Sequence, residues 1–282
     1  MNSLDWQVAV LVILAALLHA SWNALVKTGQ DRVLTVVTVS AVGLVFSLCA
    51  LPFFPAPARE SWPYLALGVV THGGFKAFLL LAYARGELSR VYPMARGVAP
   101  LLVALFSEGV AGEVLSGTEW VGVALISAGL AALTLEGGVP RREERAALVY
   151  AVMTGVFIAS YTLVDGVGIR LSGSLFGYTA WLFTLDALPM LAAGWVLRRR
   201  ALRAFLASGV VPALAAGSLS LAAYVVVLWA LSRGAMAPIA ALRETGVIFA
   251  TLIGTLILKE RFGRQRILAA LLVVGGVSAL SF

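Results

Sequence analysis

Apolar runs of about twenty residues follow one another along the chain, parted by short polar breaks rich in Gly, Pro and charge. A helix of roughly 20 apolar residues crosses a hydrocarbon layer of ~30 Å. The pattern predicts an all-α integral membrane protein with ten transmembrane helices. The spans are read at 6–26, 33–54, 63–83, 90–110, 119–136, 146–165, 175–197, 208–231, 236–258 and 264–281. The longest break, Gly137 to Arg145, falls near the midpoint and leaves five spans on either side. The expected organisation is two five-helix repeats, residues 1–138 and 146–282, with no extramembrane domain.

The halves resemble each other. Ala20-Ser21-Trp22-Asn23 in span 1 recurs as Ala159-Ser160-Tyr161-Thr162 in span 6, and Ala84-Arg85-Gly86 recurs as Ser232-Arg233-Gly234. At a constant offset of 147, Arg96 matches Arg243, Glu113 matches Glu260 and Gly129 matches Gly276. Five is odd, so the second repeat enters the membrane upside down relative to the first. Inverted repeats of this kind are a recurring architecture of secondary transporters, and exchange of the two halves' conformations gives alternating access.

Composition agrees with a lipid solvent. Hydrophobic residues make up 61% of the chain and charged ones 12%, against ~45–50% and ~25% for soluble domains. The net charge of +7 does not mark a nucleic-acid binder, because the basic residues sit in loops. Fifteen of the 21 Lys and Arg lie in the breaks after spans 1, 3, 5, 7 and 9, and only Arg59, Arg170 and Arg233 lie on the other side. The positive-inside rule puts those odd breaks in the cytoplasm and both termini outside, in the periplasm for an inner (plasma) membrane. The lone Cys49 and two histidines without neighbours at ligand spacing exclude a disulfide framework and a metal site, and no cofactor is expected.

Ionisable groups inside spans cost ~2.5–3.5 kcal/mol each, so they mark wet cavities or partners. In span 3, His72 and Lys76 share a face that Tyr83 continues, and the repeat sets Tyr224 of span 8 opposite Lys76. These read as a wall that binds a carboxylate or, alternatively, as a snorkelling or structurally paired lysine. Arg96 and Arg243 form the repeat-related pair in spans 4 and 9. Tyr92 lies one turn before Arg96, and Pro93 and Pro100 are expected to break span 4. Each Arg is a candidate for substrate contact or for a structural role, with Glu244 the neighbour that could neutralise Arg243. Asp186 and Glu244 are candidates for proton coupling, since low dielectric makes a carboxyl easier to protonate, or for plain counter-ions. His19, Trp22 and Asn23 of span 1 and Tyr161 of span 6 add polar and aromatic surface, as does Trp181; Trp6, Trp62 and Trp120 read as interface anchors. Small residues of spans 5 and 10 suit close helix packing or a weak homodimer; the protein is otherwise expected to be monomeric.

His19-Ala20-Ser21-Trp22-Asn23 with Lys27, Gly112-Glu113, and Lys259-Glu260 before the last helix resemble the ten-helix EamA-type branch of the drug/metabolite transporter superfamily. The resemblance covers essentially the whole chain. It implies export of amino acids or related small polar metabolites, with a cavity lined by spans 1, 3, 4, 6, 8 and 9. No phosphate-binding G-x-x-x-x-G-K-[ST] loop exists to drive a pump. A channel or uniporter, an exporter of organic cations or drugs, and a membrane enzyme are the alternatives, the last lacking a catalytic constellation.

Overall fold

The computed structural model describes residues 5–28, 32–86, 88–134, 145–208, 210–256 and 264–281. The Lys259-Glu260 motif and the linker 137–144 lie outside them. The described helices are α1 (Trp6–Thr28), α2 (Arg32–Ala50), α3 (Trp62–Arg85), α4 (Leu88–Ala111), α5 (Gly117–Thr134), α6 (Arg145–Leu171), α7 (Leu175–Ser208), α8 (Val210–Leu231), α9 (Met236–Leu242), α10 (Gly246–Leu256) and α11 (Arg264–Ser281). Among the described residues, nine helical segments are long and apolar enough to cross a membrane, and Gln265–Leu280 is a shorter apolar helix. The ninth span is α9 and α10 joined by a 3-10 turn, Arg243–Thr245.

Packing is symmetric under exchange of the halves. Helix α3 lies along α6, and α8 along α1; α4 packs on α6, and the ninth span on α1. Helices α2 and α7 pair with each other, as do α5 and α11, and α4 meets α9. Exchanging spans 1–5 with spans 6–10 maps these contacts onto themselves. Because successive spans cross in opposite senses, a half of five helices is related to the other by inversion across the membrane.

Three boundaries differ from the sequence reading, each for a local reason. Pro52 sits in a 3-10 turn, Leu51–Phe53, that ends α2 early. Helix α6 runs six residues past Asp165, because Gly166-Val167-Gly168-Ile169 is apolar and one charge does not end a span. Helix α7 continues to Ser208 but bends at Arg198 (φ −136°, ψ 25°), where the arginine run begins. The expected break in span 4 is absent. Pro93 and Pro100 sit inside a continuous α4, each removing one rung while its neighbours hold. The interrupted helix is the repeat-related ninth span.

Part of the small faces of spans 5 and 10, Gly122, Gly129 and Gly276, packs within the chain, while Ala124, Ala128 and Gly275 stay exposed. A Cβ on Gly276 would lie 2.6 Å from the Gly122 carbonyl oxygen, and one on Gly122 would lie 2.9 Å from that of Gly276. The backbones therefore touch, as small residues allow between membrane helices, and this closest-packed stripe faces its own repeat partner. Gly276→Val should force α5 and α11 apart and cost about 1–3 kcal/mol by overpacking. A melting curve of the purified variant in detergent checks this; an unshifted midpoint would contradict the packing.

Candidate functional site

A cavity of about 150 Å³ lies between the repeats. From α1 it takes His19 and Trp22, from α3 His72 and Lys76, and from α4 Arg96. Tyr161 of α6, Asp186 of α7, Tyr224 of α8 and Arg243 of the ninth span complete its polar lining, with Ser40 and Ser220. The rest is apolar, including Phe75, Leu79 and Phe183. The six helices expected from the resemblance all contribute. Helices α2 and α7 contribute as well, through Val36, Val39 and Ser40 and through Leu182 and Phe183.

The charges are arranged in pairs. Lys76 Nζ lies 2.5 Å from Asp186 Oδ2. Arg96 Nε donates to Glu244 Oε2 at 2.8 Å, and its Nη2 donates to the Arg243 carbonyl at 3.3 Å. Glu244 thus neutralises the first repeat's arginine and leaves its own neighbour alone, contrary to the expected Arg243 pairing. The 3-10 turn explains this. Its tighter winding presents Arg243 to the cavity, while the adjacent Glu244 points at α4. Both arginines are buried, yet among the described residues no carboxylate pairs with Arg243. Its Nη2 reaches the Tyr161 hydroxyl at 3.5 Å, and its guanidinium stands 5.9 Å from the Tyr224 ring centroid.

A third acid was missed from the sequence because it sits where the span was expected to end. Asp165 is completely buried. His72 Nε2 lies 2.8 Å from its Oδ2, the Tyr224 hydroxyl donates to the same oxygen at 2.5 Å, and the Tyr178 hydroxyl donates to Oδ1 at 3.2 Å. Glycines make the room. A Cβ on Gly68 would stand 3.1 Å from Asp165 Oδ1, and one on Gly168 would collide with the Tyr178 hydroxyl. Two glycines, Gly166 and Gly168, directly after a lone acid in an apolar run were the available signal. Tyr161 stacks on the His72 ring at 4.3 Å.

Four expected site residues lie elsewhere. Asn23 spends its amide on the His19 carbonyl (2.8 Å). Tyr83 shares the face of Lys76 but lies two turns on, packed beside the Ala82–Val91–Ala95–Ala147–Ala151 cluster. Tyr92 is behind Arg96, its ring centroid 6.0 Å from the guanidinium. Trp181 meets Trp62 edge-on at 5.0 Å, so Trp62 is packed within the bundle, whereas Trp6 is exposed as an anchor should be. In α1, Trp22 Nε1 donates to His19 Nδ1 at 3.1 Å.

The two ends of the molecule differ. Opposite the basic loops, Glu113 binds Arg170 at 2.6 Å through Oε1 and accepts from the Met236 backbone N–H at 2.7 Å through Oε2. Arg170 also donates to the Leu231 and Gly234 carbonyls. One acid and one arginine so tie the α4–α5 loop to the ends of α6, α8 and α9. Towards the basic end lies a second space of about 640 Å³ between α2, α3 and α7, reaching Arg198. Lys76, Leu80 and Asp186 line both spaces, which sets the ion pair between them.

An all-helical chain of two pseudo-symmetric halves around a charged, mostly apolar-walled cavity is the form of a multi-pass membrane carrier. The EamA-like transporter family matches residues 6–135 and again 145–282, and the chain belongs to that family of membrane transporters. A protein of known crystal structure shares the fold, with a TM-score of 0.73 over 98% of both chains at 20% identity, and 29 solved chains match significantly. A comparison with curated proteins finds no significant match.

Proposed function

We propose that this transporter is a secondary carrier of small amino acids and related carboxylates, exporting them across the inner membrane by alternating access, with its odd loops cytoplasmic and its termini periplasmic. Arg243 carries the reading. It is a buried cation that faces the cavity with no carboxylate paired to it among the described residues, and a buried charge is costly until something pairs with it. A substrate carboxylate would supply that partner, and the apolar walls would take an aliphatic or aromatic side chain. Asp186, facing the same space, suits an ammonium group. The cavity is smaller than the ~300–1,000 Å³ usual for drug-sized ligands, and a cation outside any ion pair among the described residues repels organic cations. Both points favour metabolites over drugs. The tie at Glu113 and the second space towards Arg198 fit a carrier closed outside and open towards the cytoplasm.

The test is L-leucine counterflow in proteoliposomes. Saturable, trans-stimulated exchange is expected, with isopentylamine, which is leucine without its carboxylate, failing to compete. Equal competition by the amine would remove the role of the carboxylate, and flux that never saturates would indicate a pore.

A further inference from the structure

Among the described residues, the three acids inside the bundle, Asp165, Asp186 and Glu244, are not held in the same way. Asp186 faces Lys76 and Glu244 faces Arg96. Asp165 has no such partner among the described residues. The groups that face it are His72 from α3, Tyr178 from α7 and Tyr224 from α8. From the ninth span only Arg243 approaches, through Tyr161 and Tyr224. On α4, Arg96 is engaged by Glu244; one turn along α3, Lys76 is engaged by Asp186. The turn packed at the outer end of α6 carries Arg59 and Glu60, both exposed.

We infer that Asp165 is a proton-binding site, reached from the cavity through His72, and that a substrate carboxylate and a proton cross together. The inference rests on the reading that the carboxylate binds at Arg243. Two tyrosines join the sites. Tyr224 donates to Asp165 while its ring lies near the Arg243 guanidinium, and Tyr161 accepts from Arg243 while stacking on His72. Without substrate, Arg243 and Asp165 are the remaining opposite charges once the two ion pairs are set aside, and each offsets the other's burial. A carboxylate arriving at Arg243 takes that compensation away. The fully buried Asp165 anion then costs more than its neutral form, and the pair gains a proton.

The route is short. His72 lines the cavity and Asp165 does not. A proton from cavity water adds at His72 Nδ1, the Nε2 proton passes to Asp165 Oδ2, and the imidazole returns to neutrality. Histidine suits this relay because one ring nitrogen can accept a proton while the other gives one up. On the far side the same transfers run in reverse as the carboxylate leaves, so one proton accompanies one carboxylate with no other bond made or broken.

The experiment uses leucine-loaded proteoliposomes holding a trapped pH dye. Leucine efflux by the wild-type protein should carry protons out and make the interior more alkaline. Asp165→Asn should remove this pH change and flatten the pH dependence of whatever exchange remains, while Glu60→Gln, at an exposed acid outside the cavity, should leave both as they were. Interior acidification, no pH change during wild-type leucine efflux, or the same pH behaviour in both variants would overturn the inference. If the wild type moves no leucine, the substrate reading fails by itself. Infrared titration of the purified protein then decides the proton site. A protonated-carboxyl band that appears on acidification and is missing in Asp165→Asn supports it; a band unaffected by that substitution rejects it, and a poorly folded variant leaves the wild-type titration as the deciding measurement, absence of any band again rejecting it.

Discussion

Arg243→Gln should abolish leucine counterflow at micromolar to low-millimolar concentrations while leaving the protein folded. Glutamine stays polar but ends two bonds short of the guanidinium nitrogens, so it gives up the 3.5 Å contact with the Tyr161 hydroxyl and leaves the backbone of the turn at Arg243–Thr245 as it is. The larger loss is the charge. Removing one member of a buried, hydrogen-bonded charge pair costs about 2–4 kcal/mol, which is roughly 30- to 1,000-fold in affinity. Because Arg243 makes no direct ion pair among the described residues, stability should fall far less than affinity. Counterflow and a melting curve on the same preparation check both halves of the expectation. Wild-type affinity in the variant would show that the carboxylate binds elsewhere.

The second large effect is on stability. Arg96 and Glu244 bridge the two repeats at 2.8 Å, with about one-twentieth of each side chain exposed. Arg96→Met would strand the Glu244 charge in the protein interior, and breaking a buried pair in this way costs about 3–5 kcal/mol. The double substitution Arg96→Met/Glu244→Gln removes both charges and should recover most of that loss, since replacing a whole buried pair by neutral groups is often close to energetically even. Detergent unfolding of the single and double variants provides the cycle. A double variant no more stable than the single would mean that the ion pair is not what Arg96 contributes.

Much of the fold was legible from spacing alone, because a bilayer demands long apolar helices and tolerates few charges. The list of intramembrane charges was equally readable: eight of the twelve expected binding residues line the cavity, and the repeat offset paired Arg96 with Arg243 correctly. Tyr83, Tyr92, Asn23 and Trp181 lie off that lining for a common reason: they follow from the face or neighbourhood of one helix, whereas the cavity's limits depend on how far neighbouring helices follow. Asp165 was read as a boundary because a charge usually ends a span, and only the helices packed around it show that two phenols and an imidazole let it continue inside.

The sequence by itself determined the solvent, the number of spans, the duplication and the inversion, since these depend on hydropathy and on the parity of five. It also determined which side chains are too polar to lie in lipid. Which charge neutralises which was decided only by the tertiary structure. Glu244 is the chain neighbour of Arg243 yet pairs with Arg96, 148 residues away, because a 3-10 turn points consecutive side chains at different helices. That single exchange of partners leaves one arginine facing the cavity and one acid facing a histidine.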